Sequence, residues 1–202
     1  TSPQEISDLI ESTLKANNLS IQSVAGFASI DLKEDEPAID GLCNARFFSA
    51  EELNAFAPKL KTPSDYVMAE VGTPGVAEAA ALAAAGPDAE LIVAKTKSKR
   101  ATCAIARSPE PILELRGRAR GVLNVVGIGP GNALTRSPAA TQALQSTTDW
   151  VGYGLYLDLV SDLKQDQIEH RFPLGGEEDR VRHAIALAKQ GKQVALVCSG
   201  DA

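Results

Sequence analysis

Aromatic residues are scarce in this chain. Phe, Trp and Tyr make up 4% of its 202 residues, with a single Trp. A core built from this composition relies on aliphatic and small side chains rather than large rings. Cysteine is also sparse: Cys43, Cys103 and Cys198 are far apart and odd in number. That excludes a disulfide framework, suits a reducing cytoplasm, and leaves all three to pack in or beside strands. The two histidines, His170 and His183, have no cysteine close by, so no metal site is expected. Both are placed at the surface rather than in a catalytic role. No apolar run approaches the ~18 residues of a membrane span, and no secretory signal opens the sequence. Positive charge is in deficit too, with a formal net charge of −6. A nucleic-acid partner is therefore not expected, and a polyanionic substrate must be met by a local basic patch.

What is present reads as an α/β protein of two units. Residues 1–107 carry 10 basic and 15 acidic side chains, and residues 121–202 carry 7 and 9. Between them, residues 108–120 hold Ser108-Pro109-Glu110-Pro111 and then Arg116-Gly117-Arg118-Ala119-Arg120, which predicts a linker. Its three arginines either face solvent or reach a carboxylate-rich substrate.

The first unit opens with a helix signal. Ser2 suits an N-cap, Pro3 the first turn and Glu5 a capping box. Residues 23–30 predict a strand, followed by the charged turn Asp31-Leu32-Lys33-Glu34-Asp35-Glu36. A short strand at Phe47-Phe48 leads into a helix opening at Ser49. Thr73-Pro74 predicts the start of another helix, with Gly86 as its stop. Residues 91–94 and 101–106 predict two more strands, and the alternation defines an α/β layer structure. Such a domain rarely begins with a helix, so a preceding strand is expected. Lys95, Lys97, Lys99 and Arg100 form the one dense basic run.

The second unit opens on the most informative stretch. Val122–Val126 reads as a buried strand that empties into Gly127-Ile128-Gly129-Pro130-Gly131. A glycine-rich turn at the carboxyl end of a strand lets a ligand approach bare backbone. The order departs from the dinucleotide fingerprint, because proline follows the second glycine, and from the Walker loop, because no Gly-Lys-Ser/Thr follows. Ser137-Pro138 predicts a helix to about Leu144, residues 150–153 a strand and residues 156–163 a short helix. Residues 177–190 predict an amphipathic helix with Val181, Ala184, Ile185, Leu187 and Ala188 inward. Residues 193–198 predict a strand running into a second glycine turn, Ser199-Gly200-Asp201. Stopping there predicts a truncated domain.

Particular motifs then resemble known families. Ser29-Ile30-Asp31-Leu32-Lys33 with Asp35-Glu36, Phe48-Ser49-Ala50-Glu51-Glu52-Leu53, and Val71-Gly72-Thr73-Pro74-Gly75-Val76 with Ala77-Glu78-Ala79-Ala80-Ala81-Leu82 resemble the C-terminal domain of the cobalt-precorrin-5A hydrolases. Ala101-Thr102-Cys103-Ala104-Ile105-Ala106-Arg107 completes that resemblance. Gly127-Ile128-Gly129-Pro130-Gly131, Gly152-Tyr153-Gly154-Leu155-Tyr156-Leu157, and Val194-Ala195-Leu196-Val197-Cys198-Ser199-Gly200-Asp201 resemble the start of the precorrin-3B C(17)-methyltransferases, within the tetrapyrrole methylase family. Many of those relatives have Asp where Asn132 stands and Pro where Ala202 stands.

The methylase resemblance implies S-adenosylmethionine as cofactor, held by Gly129, Pro130, Gly131, Ser199, Gly200 and Asp201. It implies a precorrin substrate and methylation at carbon-17 with ring contraction in cobalamin biosynthesis, in a cytoplasmic homodimer. Tyr153 and Tyr156 either contact the macrocycle or pack in the core. In the first unit Lys33 would pair with a substrate carboxylate, Asp35 or Glu36 would act on water, and Thr73 would open an anion-binding helix end. Each of these has a plain structural alternative, as a solvated turn or an ordinary cap. No catalytic residue of the methylase part is assigned. A non-catalytic module that binds corrinoid intermediates is the other reading.

Overall fold

The computed structural model describes residues 1–200 and separates into two compact units, Thr1–Ala119 and Arg120–Ala202. Both are α/β. The first contains α1 (Pro3–Ala16), β1 (Phe27–Ile30), α2 (Pro37–Asp40), β2 (Ala45–Phe48), α3 (Ala50–Asn54), α4 (Asp65–Val71), α5 (Val76–Ala85), β3 (Glu90–Lys97), β4 (Thr102–Arg107) and β5 (Arg118–Ala119). Its strands form two sheets. One has the order β1-β2-β5, with β1 parallel to β2 and β5 antiparallel to it; the other is the β3-β4 hairpin.

Local chemistry sets these elements. Ser2 Oγ accepts from the Glu5 amide at 3.2 Å and Pro3 fills the first turn of α1. The Glu5 carboxylate does not close the predicted capping box. It accepts instead from Ser98 Oγ at 2.6 Å and Arg100 N at 2.7 Å, tying α1 to the β3–β4 turn. The box at α3 is complete, with Ser49 and Glu52 each satisfying the other's amide. The expected helix start at Thr73 is displaced: α5 begins at Val76 with Gly75 as N-cap, and Thr73 is fully buried upstream of it. Alanine lines α5, so Ala79, Ala80, Ala83 and Ala84 lie close against Ile30, Phe48 and Leu53. The strand predicted over 23–30 is shorter at its start, where Ser20 caps a 3-10 turn at Ile21–Ser23.

The segment expected to link the units carries structure of its own. Residues 118–119 pair with Arg46 and Phe47 of β2, and the Arg118 guanidinium grips Glu34 with both terminal nitrogens, Nη1 at 2.9 Å. Of the three arginines there, Arg118 is thereby committed within the first unit.

The second unit contains β6 (Val122–Gly127), α6 (Pro138–Gln145), β7 (Asp149–Tyr153), α7 (Gly154–Asp158), β8 (Ile168–Phe172), α8 (Glu177–Lys189) and β9 (Gln193–Cys198). The strands form one parallel sheet in the order β6-β9-β7-β8. Alternation along β9 splits the core. Ala195 and Val197 join Val126, Leu144, Trp150 and Leu157 on the α6/α7 face, while Val194 and Leu196 join Val151, Ala184 and Leu187 under α8. Trp150 is fully buried, and its indole N–H donates to Leu144 O at 3.0 Å and Thr147 Oγ1 at 3.1 Å. The buried stripe of α8 is narrower than predicted, since Val181 and Ile185 face solvent.

The histidines are not free surface groups. His183 Nε2 lies 2.9 Å from His170 Nδ1, and His170 Nε2 lies 2.8 Å from Asp149 Oδ1. Asp149 is buried and also accepts from Lys192 Nζ and Thr148 Oγ1, each at 2.8 Å. Cys198 is buried as expected, whereas Cys43 is exposed in the turn before β2.

Candidate functional site

A parallel sheet ends all its strands on one edge, so β6, β9 and β7 deliver their carboxyl-terminal residues to the same place. Beyond Gly127 the ladder continues for one bond, from the Ile128 amide to Cys198 O at 2.9 Å. The two glycine turns then meet. A side-chain carbon added at Gly127 would lie 3.0 Å from Gly200 Cα. Together Gly127, Gly129, Ser199 and Gly200 line an open depression. Gly129 has φ +61° and Gly200 φ +129°, backbone that favours glycine. Among the described residues, a carbon added at Gly200 would meet nothing within 4 Å, and one at Gly129 only Thr135 O at 4.0 Å. Bare backbone therefore faces open space here, which fits a ligand held through amides and carbonyls.

The predicted cofactor residues divide on this geometry. Gly129, Ser199 and Gly200 are brought together. Pro130 and Gly131 do not line the depression. A carbon at Gly131 would lie 2.6 Å from Leu159 Cδ1 at the end of α7, and the left-handed backbone there (φ +86°) favours glycine. Asp201 lies outside the described residues. Gly127, read from the sequence as part of the glycine turn but not among its cofactor residues, also lines the depression.

The loop that follows is braced from within. Asn132 Oδ1 accepts from the Leu134 amide at 2.9 Å, and Asn132 O accepts from the amides of Thr135 and Arg136. Arg136, nearly buried, holds Asp162 through two bonds of 3.1 and 2.7 Å. Tyr153 closes β7 on the ligand edge, its ring edge-on to Tyr156 at 5.3 Å, while Tyr156 also packs against the α6/α7 core.

In the first unit, Lys33 and Glu36 lie at the mouth of a cleft of ≈ 540 Å³, with Thr1, Ser29, Val76 and Ala77. Glu36 Oε1 lies 3.2 Å from the backbone nitrogen of Thr1. Thr73 does not reach this mouth; among the described residues its buried Oγ1 has no hydrogen-bond partner. The basic run is partly spent on structure, since Lys95 Nζ donates to Thr62 O at 3.0 Å. Beside it, buried Glu78 accepts from the amides of Lys61, Thr62 and Lys95 and from Thr62 Oγ1, at 2.8 to 3.1 Å. Burial alone would raise this carboxyl; four donors lower it. The described residues contain no cluster of metal-ligating side chains and no helix long and apolar enough to cross a membrane.

An all-parallel unit with two glycine turns at one strand edge defines an α/β protein. Its relatives narrow the class. Residues 1–106 match the family described as Cobalamin synthesis G C-terminus, and the chain belongs to that family. It is 39% identical to Protein CobE of Sinorhizobium sp over 111 residues, covering 52% of this chain and 72% of that one. The crystal structure of CobE, a protein from the cobalamin (vitamin B12) biosynthetic pathway, matches 57% of this chain and 84% of its own, at 34% identity and a TM-score of 0.50. A further relative, the probable cobalt-factor III C(17)-methyltransferase of Salmonella typhimurium, is 40% identical over 81 residues. The chain spans 34% of that enzyme's length and 17% of the cobalamin biosynthesis protein CobIJ of Mycobacterium bovis. These matches place the chain in cobalamin biosynthesis and bear out the resemblance to both families.

Proposed function

We propose that the second unit contributes the cofactor half of an S-adenosylmethionine-dependent precorrin methyltransferase, acting at carbon-17 of the macrocycle, and that the first unit is a hydrolase-like domain fused to it. The observation that carries this reading is the meeting of the two glycine turns, with Gly127 and Gly200 nearly touching above adjacent parallel strands. S-adenosylmethionine, when bound, supplies an electrophilic methyl group. The chain's own part is placement. Gly129, Ser199 and Gly200 would present backbone amides and carbonyls to the cofactor, and the Arg136–Asp162 pair fixes the loop that carries Gly129. Tyr153, on the same edge, would offer a ring to the precorrin. Orientation and exclusion of water are what methyl transfer asks of a protein. Lys33, at the mouth of the other cleft, would meet a precorrin carboxylate.

The experiment is calorimetry with S-adenosylmethionine on the chain and on Gly127→Val. Position 127 has no positive φ, and the added side chain, 3.0 Å from Gly200 Cα, crowds the second glycine turn and fills the depression. At least a tenfold loss of affinity, about 1.4 kcal/mol, is expected in a folded variant. Equal affinity in both would remove the assignment. Binding of a precorrin analogue without any cofactor affinity would favour the corrinoid-holding module instead.

A further inference from the structure

Two arginines of the second unit are buried to the same degree, Arg136 and Arg180, each with 9% of its surface left. Arg136 commits its guanidinium to Asp162. Arg180 has no such partner among the described residues. Its Nε is enclosed and unbonded, and no carboxylate or carbonyl accepts from the two terminal nitrogens, neither of which is enclosed. Carboxylates are close in sequence, yet none bonds to it. Glu177 accepts from the Gly175 amide, Glu178 pairs with Arg182, and Glu177, Glu178 and Asp179 are all exposed. A guanidinium keeps its charge at any physiological pH, so burying it without a counter-charge carries a desolvation penalty that a bound anion would offset.

The fold puts this cation at the edge where the glycine turns meet. α8 joins β8 to β9, two strands that both run parallel to β7. The helix therefore runs against the strands and starts at their carboxyl ends. Ala184 and Leu187 pack with Val151, Val194 and Leu196. Arg180 lies one turn before Ala184 on the same stripe, beside the places where Tyr153 ends β7 and Cys198 ends β9. Helical side chains tilt toward the helix start, which carries the guanidinium further toward that edge. The segments leaving the same edge hold exposed leucines: Leu134 beyond β6, Leu155 beyond β7 and Leu174 beyond β8. Apolar side chains around one unpaired cation suit a flat apolar ring that bears carboxylates. We propose that Arg180 anchors a peripheral carboxylate of the precorrin macrocycle, its planar fork taking both oxygens. The inference rests on the methyl-transfer reading for the identity of the ring, and adds the residue that orients it.

Two probes test it by absorbance titration: cobyrinic acid, a corrin with free carboxylates, and the same corrin with every carboxylate amidated. The protein should bind the acid more tightly than the amide. Arg180→Met keeps most of the side chain's length and removes its charge. It should weaken binding of the acid at least tenfold and leave the amide unchanged. Arg180→Lys should recover part of the preference, since it keeps the charge but loses the fork. Without ligand, Arg180→Met should unfold at the same or a higher urea concentration, because it no longer buries an unpaired cation. Equal affinity of the protein for both corrins, or binding of neither, would overturn the proposal. So would equal loss of both corrins in Arg180→Met, or a lowered urea midpoint, which would mean that the guanidinium holds the fold. Calorimetry with S-adenosylmethionine keeps this separate from the cofactor assignment: Arg180→Met should bind it as the parent protein does, whereas Gly127→Val should not. Loss of cofactor affinity alone in Arg180→Met would move the guanidinium to the cofactor's own carboxylate and overturn its role at the macrocycle.

Discussion

The two units solve the same architectural problem with opposite resources. The second fills its interior: Trp150, Leu157, Val160 and Val197 are fully enclosed, and helices cover both faces of an unbroken sheet. The first is built on alanine along α5, and it buries a carboxylate, Glu78. Aromatic poverty is therefore borne differently. One unit concentrates its packing around a single indole, and the other relies on close helix–sheet approach and a polar hub. Disruption of volume should dominate in the second, and disruption of hydrogen bonding in the first.

The sharpest way to break this contrast is Trp150→Ala. It removes the largest enclosed side chain and two buried hydrogen bonds, so the second unit should lose about 4 kcal/mol in urea unfolding. A loss below about 1 kcal/mol would mean that the core collapses freely around the gap. Glu78→Ala should come next, at about 3 kcal/mol, because three backbone amides lose their acceptor inside the first unit. Exchange protection should fall there while Trp150 fluorescence, which reports the second unit alone, stays unchanged. Ser49→Ala should cost about 1 kcal/mol through loss of the α3 capping box. A null result would mark α3 as held by Leu53 packing instead.

The smallest effect separates the units by pH. Both histidines lie in the second unit. Burial, and then the nearby His170 and Lys192 charges, lower His183 from its ordinary value of 6.5. The unfolded chain thus binds this proton more readily, so the stabilising contribution is complete above 6.5 and shrinks as pH falls below it. Asp149 is raised by burial but lowered further by Lys192, His170 and Thr148, so its contribution is lost only below its ordinary 3.8. Glu78 behaves likewise below 4.5. Between pH 7 and 5.5 only the second unit should soften, and His183→Phe should flatten its profile. Equal softening of both units would contradict this picture.

Where the sequence carried strong local signals, the elements were legible. The Ser2-Pro3, Ser49–Glu52 and Ser137-Pro138 caps and the apolar run of β9 all correspond to observed elements. Elements without such signals were not. β8 reads Ile-Glu-His-Arg-Phe and is stabilised by pairing with β7 and by the Asp149–His170 contact, which no local pattern reveals. α4 buries no side chain and leaves no periodic stripe. At Thr73 a good cap-then-proline signal was overridden because the chain turns once more before Gly75. Within the site, glycine identity could be read from sequence, but its reason could not. Gly129 and Gly200 face open space, whereas Gly131 yields to Leu159, a residue 28 positions away.

The strand order of the second unit has a consequence for its synthesis. β9 lies between β6 and β7, yet it leaves the ribosome last of the three. Among the described residues β6 pairs with β9 alone, so until residues 193–198 emerge Val122 through Val126 waits as an unsatisfied apolar edge. The β6 edge should therefore remain protease-sensitive and a target for chaperones through the translation of α8, and gain protection only once β9 is free to insert.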